Sequence, residues 1–237
     1  MRTLVHLIAC LLFCVNAQPL QAATAPARLE VAYDVFKGSM KIATMAETFV
    51  ATHDHYRIES VSDAVGLLAL FKPETIRLTS EGTLTQSGLR PSVFSSQRKI
   101  DVERNTRADF DWATNRITLT DRNGKRTLPL PADTQDRLSA MYQFMFLTLK
   151  SSSPLDFHMT NGSKVDIYNY FVSTTQSVTV PLGTFKALYV ASPVKAGESR
   201  TEIWLATDHA NFPFKMTITD PDGGELTQVL TRFDFMQ

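Results

Sequence analysis

Apolar and polar residues alternate with period two along most of this chain, and no other pattern restricts its fold as much. Successive side chains of a strand point to opposite faces, so such alternation marks strands that are buried on one side. Leu29, Val31, Tyr33 and Val35 share one face, while Glu30 and Asp34 share the other. Ala108, Phe110 and Trp112 oppose Arg107, Asp109 and Asp111. Phe185, Ala187, Tyr189 and Ala191 make a third set, and Phe212, Phe214, Met216 and Ile218 a fourth. Thr, Val, Ile, Phe and Tyr crowd these segments, as a pleated surface favours. The expected fold class is mainly β, a curved antiparallel sheet or incomplete β-barrel.

Two hairpins are expected in a definite register. Asn123-Gly124 is a strong two-residue turn signal, because a type I′ turn needs positive φ at both positions. It pairs Leu119 with Leu128, Ile117 with Leu130 and Asp121 with Arg126. A second hairpin turns at Pro221-Asp222-Gly223-Gly224. An even-length loop there gathers Phe212, Phe214, Met216 and Ile218 with Val229, Phe233 and Phe235.

One α-helix is expected at about residues 134–150, capped by Asp133 or Thr134, with Asp136 in its first turn and Lys150 in its last. Leu138, Met141, Tyr142, Met145 and Leu149 form a stripe, and Phe144, Phe146 and Leu147 carry apolarity around the cylinder. Such a helix is buried on several sides, as inside a wrapped sheet. Val65, Leu67, Leu68, Leu70 and Phe71 form a short apolar stretch without alternation, stopped by Lys72-Pro73. It reads as a helical turn plugging one end of the sheet, or as a lid over an apolar cavity.

The N-terminus addresses the compartment. Met1-Arg2-Thr3 precedes an apolar run from Leu4 to Val15, and Asn16 to Ala22 turns polar and ends on a small residue. This is the layout of a cleaved secretory signal peptide, residues 1–22, and the run is shorter than the roughly 20 residues that span a bilayer. A single β-rich domain, residues 23–237, would follow in the periplasm, with no transmembrane segment. Both cysteines, Cys10 and Cys14, fall in the signal segment, so the mature chain has no thiol chemistry and no disulfide. The whole chain carries 24 Lys+Arg against 24 Asp+Glu, a net charge of +0, and losing Arg2 leaves 23 against 24. A chain without a basic excess is not expected to bind nucleic acid.

Catalytic motifs are missing from the sequence: there is no G-x-S-x-G, no G-x-x-x-x-G-K-[ST], no G-x-G-x-x-G and no H-E-x-x-H. His53-Asp54-His55 has metal-like spacing but reads as a solvated turn. Asp208-His209 lacks a nucleophile elbow, and Arg107 beside Asp109 and Asp111 reads as a solvated salt-bridged face. No catalytic residue, metal or cofactor is expected.

Three stretches, taken in order, resemble a known family. They are Ser80-Glu81-Gly82 with Gly88-Leu89-Arg90-Pro91; Thr134 to Tyr142; and Thr201 to Ala206 with Phe212-Pro213-Phe214-Lys215 and Gly223-Gly224-Glu225-Leu226. Together they resemble a family of exported bacterial proteins catalogued only as a domain of unknown function. The closing stretch is also similar to the periplasmic lipoprotein carriers, whose incomplete β-barrel wraps helix and encloses an apolar cavity for acyl chains. The resemblance implies that fold and carries over no catalytic residue.

The function expected is that of a non-enzymatic periplasmic protein of the cell envelope that binds a hydrophobic or amphipathic, lipid-like ligand. Phe110, Trp112, Trp204, Phe212 and Phe214 would line its interior. An envelope adaptor that holds a partner protein, and a hydrolase, are the alternatives.

Overall fold

Fifteen strands run through residues 26–236, the part of the chain that the computed structural model describes. The expected signal peptide, residues 1–22 with Cys10 and Cys14, lies outside the described residues. The first half holds β1 (Arg28–Lys37), β2 (Met40–Thr52), β3 (His55–Ala64), β4 (Thr75–Thr85), β5 (Gly88–Arg98), β6 (Thr106–Asp111), β7 (Arg116–Asp121) and β8 (Gly124–Pro129). The second holds β9 (Gln135–Asp136), β10 (Ser153–Thr160), β11 (Val165–Val180), β12 (Gly183–Ala191), β13 (Arg200–Ala206), β14 (Phe212–Thr219) and β15 (Glu225–Met236). Helix α1 (Gly66–Phe71) joins β3 to β4, and α2 (Ser139–Gln143) follows β9 and runs into a 3-10 turn at Phe144–Phe146.

All the strands belong to one sheet, in the order β8 down to β1, then β15 down to β9. Strands adjacent in sequence pair antiparallel, except that β9 lies parallel to β10 and that β8 and β9 do not pair. The first and last strands meet in the middle of the strip, Arg28 opposite Met236 and Lys37 opposite Leu226. The two free edges, β8 and β9, are therefore consecutive in sequence, and the sheet curls to bring them towards each other. The expected class is what forms: an open, curved, mainly β sheet.

Side chains bridge the seam where the ladder stops. β6 pairs only with Val93 to Ser96 of β5. The free peptide at Leu89 is taken by two glutamines: Gln143 Oε1 accepts its N–H at 2.7 Å, and Gln135 Nε2 donates to its C=O at 2.9 Å. Gln143 Nε2 also donates to the Ser87 carbonyl at 2.7 Å. Gly88 lets this happen, because it sits at φ +109° and a Cβ there would lie 2.4 Å from Gln143 Oε1. At the other end of the seam Thr106 Oγ1 donates to the Asn161 carbonyl at 2.8 Å, and Arg126 donates to the Ser163 carbonyl.

The helix expected at about 134–150 is present but much shorter. Thr134 turns back to bond the Pro131 carbonyl, and Gln135 and Asp136 are extended against Met159 and Thr160. Asp136 Oδ1 accepts the N–H groups of Leu138 and Ser139, both at 2.8 Å, so helical turns start only after it. Strand pairing at β9 overrides the capping preference of Asp133 and Thr134. Burial on several sides does hold: Tyr142 and Met145 belong to the main core, while Phe144 belongs to a second cluster with Phe157, Tyr170, Val190 and Ile203.

Both hairpins differ from their expected registers. Asp121 pairs with Gly124, which sets Leu119 opposite Arg126 and Ile117 opposite Leu128. The Asp121 side chain accepts the Asn123 N–H at 2.8 Å, and Gly124 takes φ +96° after the turn rather than within it. The displacement is two residues, so every side chain keeps its face and only the partners change. In the second hairpin Thr219 pairs with Glu225, leaving an odd loop, Asp220 to Gly224. Met216 therefore faces Gln228, and Ile218 faces Leu226. A bulge between β1 and β15 restores the phase further along, with Val31 opposite Phe233 and Tyr33 opposite Leu230. Phe233 then reaches Phe212 and Phe214, with ring centroids 5.5 and 5.4 Å away.

Candidate functional site

Inside the wrapped sheet the aromatic core is closely packed around α2. The Tyr142 ring stacks on Phe49 at 5.5 Å and meets Phe212 edge-on at 5.2 Å. Phe212 and Phe214 are fully buried, and Phe110 nearly so. These three expected lining residues serve the core. Trp112 and Trp204 are half-buried. Trp112 stacks on Phe110, donates from Nε1 to the Pro91 carbonyl at 2.6 Å and carries the Arg90 guanidinium 4.7 Å above its ring. With Leu89, Ala132 and Gln135 it lines a cavity of about 370 Å³ beside the seam. Trp204 packs against Tyr189 at 5.2 Å, under the Lys215 ammonium at 4.8 Å.

Two carboxylates lie in this interior. Glu47 alternates with Met45 and Phe49 on the buried face of β2, and its Oε2 accepts from Tyr142 Oη at 3.0 Å. Burial lifts its carboxyl to about 7, only partly offset by neighbouring hydroxyls and the Arg137 charge. Asp136 accepts from Ser80 Oγ at 2.5 Å besides its two amides, and burial raises it to about 6. The alternation of β2 made Glu47 findable, since it breaks an otherwise apolar face. Asp136 was hidden by its placement in a first helical turn.

A larger cavity, about 600 Å³, opens at the end of the sheet that carries the β5–β6, β7–β8 and β10–β11 connections. Ser96 and Arg98 continue the face of β5 on which Phe94 is buried, and Arg137 reaches the same space from the segment after β9. Arg104, Arg122, Arg126 and Lys164 add further cations, against Glu103 and Asp121. Three of these cations are paired: Arg104 with Asp101 at 3.6 Å, Arg126 with Asp121 at 3.1 Å and Lys164 with Asp166 at 2.5 Å. Arg98, Arg122 and Arg137 have no carboxylate within 4.0 Å among the described residues. Arg137 is exposed, and it faces the cavity. Desolvation by the neighbouring protein presses its charged form down, and so does Arg98, while Tyr168, Asp136 and Glu47 hold it up.

The Val65–Phe71 segment stands near this mouth. None of the residues of α1 is buried; Leu67, Leu70 and Phe71 are 63%, 77% and 86% exposed. Val65 N–H bonds the Ile42 carbonyl at 2.9 Å, and Lys72 Nζ lies 3.9 Å from Asp101, whose other partner, Arg104, is on the cavity rim. Ile100 and Val102, on the adjoining connection, are also exposed.

The remaining candidates are dispersed. His55 Nδ1 lies 2.7 Å from Asp54 in an exposed turn, where His53 takes φ +54°. Arg107 and Asp109 form an exposed pair at 2.5 Å, and Asp111 bonds the amides of Ala113 and Thr114. His209 sits among the rings of Phe185, Phe214 and Phe233 at 4.9 to 5.2 Å. No hydrogen bond joins His209 to Asp208 among the described residues. No group of three or more potential metal ligands occurs among the described residues. None of their helices is long and apolar enough to cross a membrane.

The fold has a solved counterpart. A β-barrel-like protein of the domain of unknown function DUF1849 from Brucella abortus is similar with a TM-score of 0.56 at 11% identity, covering 90% of this chain and 99% of that one. That likeness is one of fold. A candidate exported protein with a YmcC-like fold from Bacteroides fragilis gives a TM-score of 0.38 at 10% identity, over 89% of this chain and 96% of that one. A candidate lipoprotein from Parabacteroides distasonis gives 0.39 at 11% identity, over the same shares of 89% and 96%. No curated protein matches the sequence. The model of the family described as "Protein of unknown function (DUF3108)" matches residues 30–231, and the chain therefore belongs to that family.

Proposed function

We propose that this chain is a non-enzymatic, exported binding protein of the bacterial envelope that holds an amphipathic, lipid-like ligand at the mouth of its curved sheet. One observation carries the reading: the cavity of about 600 Å³, within the size range of small-molecule sites, which opens between three connections at the end where α1 exposes its leucines. The packed aromatic interior leaves the mouth, rather than the barrel centre, as the place for a ligand. In this reading α1 is a flap: its apolar residues lack a protein partner and cover the chain of the ligand once it is bound. The expected signal peptide supports a periplasmic location.

The adaptor alternative has β8 in its favour, an uncovered sheet edge whose residues are mostly exposed. Lys125, Arg126 and Pro129 are the residues that natural edges use against strand addition, which weakens that reading. Native mass spectrometry after gentle extraction tests the proposal. A co-purified mass of a few hundred daltons that denaturation releases is the expected result. Protein that arrives empty, and takes up no dodecyl-chain probe, would exclude it.

A further inference from the structure

Arginine guanidinium groups offer a planar fork of donors suited to an oxyanion. Arg98, half-buried, and Arg137, exposed, present two such forks to the same space. Neither side chain has a carboxylate within 4.0 Å or a hydrogen-bond acceptor among the described residues. Both line one cavity, and they stand close enough for the charge of Arg98 to weaken that of Arg137. Two like charges that face one cavity favour a group of opposite sign between them. The protein carboxylates do not serve: on the rim Asp121 pairs with Arg126, and Glu103 lies more than 4.0 Å from every cation among the described residues. Asp136 is engaged by Ser80 and by the amides of Leu138 and Ser139, and Glu47 by Tyr142.

The rest of the cavity matches an anion. Asn105 spends its Oδ1 on the Arg98 N–H at 2.7 Å, which anchors the start of the rim. Ser96 Oγ, on the same face of β5, and Arg122, without a carboxylate partner, supply further donors. The geometry points to an oxyanion site, for a phosphoryl or carboxylate group, with Arg98 and Arg137 as its principal donors. The inference rests on the binding reading above and specifies it: the ligand is an anionic amphiphile, its head on the arginines and its chain towards α1, Ile100 and Val102.

The test is titration calorimetry on the purified protein with four probes: dodecyl phosphate, dodecanoate, uncharged monolaurin and inorganic phosphate. A charge-assisted pair of hydrogen bonds is worth about 1.5–3 kcal/mol, so the two anionic amphiphiles are expected to bind about tenfold or more tightly than monolaurin. Arg98→Gln and Arg137→Gln are each expected to weaken both anionic probes about tenfold or more, and monolaurin by clearly less, so that the preference for charge is lost. Added salt is expected to weaken only the anionic probes in the unaltered protein, a readout that needs no variant to fold. Equal affinities for charged and uncharged amphiphiles, insensitive to both substitutions, would overturn the oxyanion site and leave the amphiphile reading standing. Binding of inorganic phosphate, lost in both variants, without uptake of any dodecyl probe would do the reverse. Binding of none of the four would remove both.

Discussion

Tyr142 Oη donates a 3.0 Å hydrogen bond to Glu47 Oε2, tying α2 to β2 across 95 positions of sequence. The acceptor is a carboxyl that burial has lifted from 4.5 to about 7. The folded state therefore binds this proton more tightly than the unfolded chain. Stability from this group is complete below about pH 4.5, declines as the pH rises from there to about 7, and is level above. A displacement of this size is worth up to about 3 kcal/mol. Glu47→Gln keeps an acceptor for Tyr142 and cannot ionise. It is expected to flatten that decline and to be the more stable protein above about pH 7. Urea unfolding across the pH range measures it, and an unchanged slope in the variant would refute the account. Asp136 adds a similar decline between 3.8 and about 6, which the variant retains.

Gln143 replaces a missing strand along Leu89 and Ser87. Truncating it to alanine leaves a buried N–H without an acceptor, at a cost of about 2–3 kcal/mol. Gly88→Ala should be as damaging, because it combines a left-handed backbone with a Cβ 2.4 Å from the amide. Hydrogen exchange at the Leu89 amide should quicken in Gln143→Ala while amides of β12 keep their protection.

Core and rim aromatics should separate on truncation. Phe214→Ala removes a fully buried ring and is expected to cost about 3–5 kcal/mol. Trp112→Ala, half-buried beside its cavity, should cost clearly less. Chemical unfolding compares the two, and equal losses would place Trp112 in the core instead.

Helix α1 offers the opposite contrast. Replacing Leu67, Leu70 and Phe71 together with serine should shift stability by no more than about 0.5 kcal/mol per site, because all three already face water. Uptake of a dodecyl-chain probe, followed by stopped-flow fluorescence, should slow. Wild-type kinetics in the triple variant would end the flap reading.

The strands were legible because burial on one face imposes period two, and Leu29 to Val35 obey it residue by residue. Registers were less so. Turn residues mark where a hairpin reverses, but the Asp121 side chain decided which pair closes the first loop, and an odd loop with a distant bulge set the phase of Phe233. The helix was overextended because its apolar residues repeat past Phe146, whereas pairing of Gln135 and Asp136 with β10 depends on a strand that begins at Ser153. Of the site, Arg98 stands in the sequence among the mixed charges of Lys99, Asp101, Glu103 and Arg104, which do not single it out. That it meets Arg137 follows from the curl of the sheet, which no local pattern encodes.

A ladder of peptide groups joins neighbouring strands throughout this sheet except between β8 and β9. Closure runs instead from β5, β6 and β8 to β9, α2 and the β10–β11 connection, through a few side-chain donors and acceptors. To part any other neighbours the chain must surrender a whole row of bonds at once, but here it surrenders them one by one. The wall that borders the basic cavity is thus a seam rather than a ladder, whose bonds can break singly while every strand pairing stays intact.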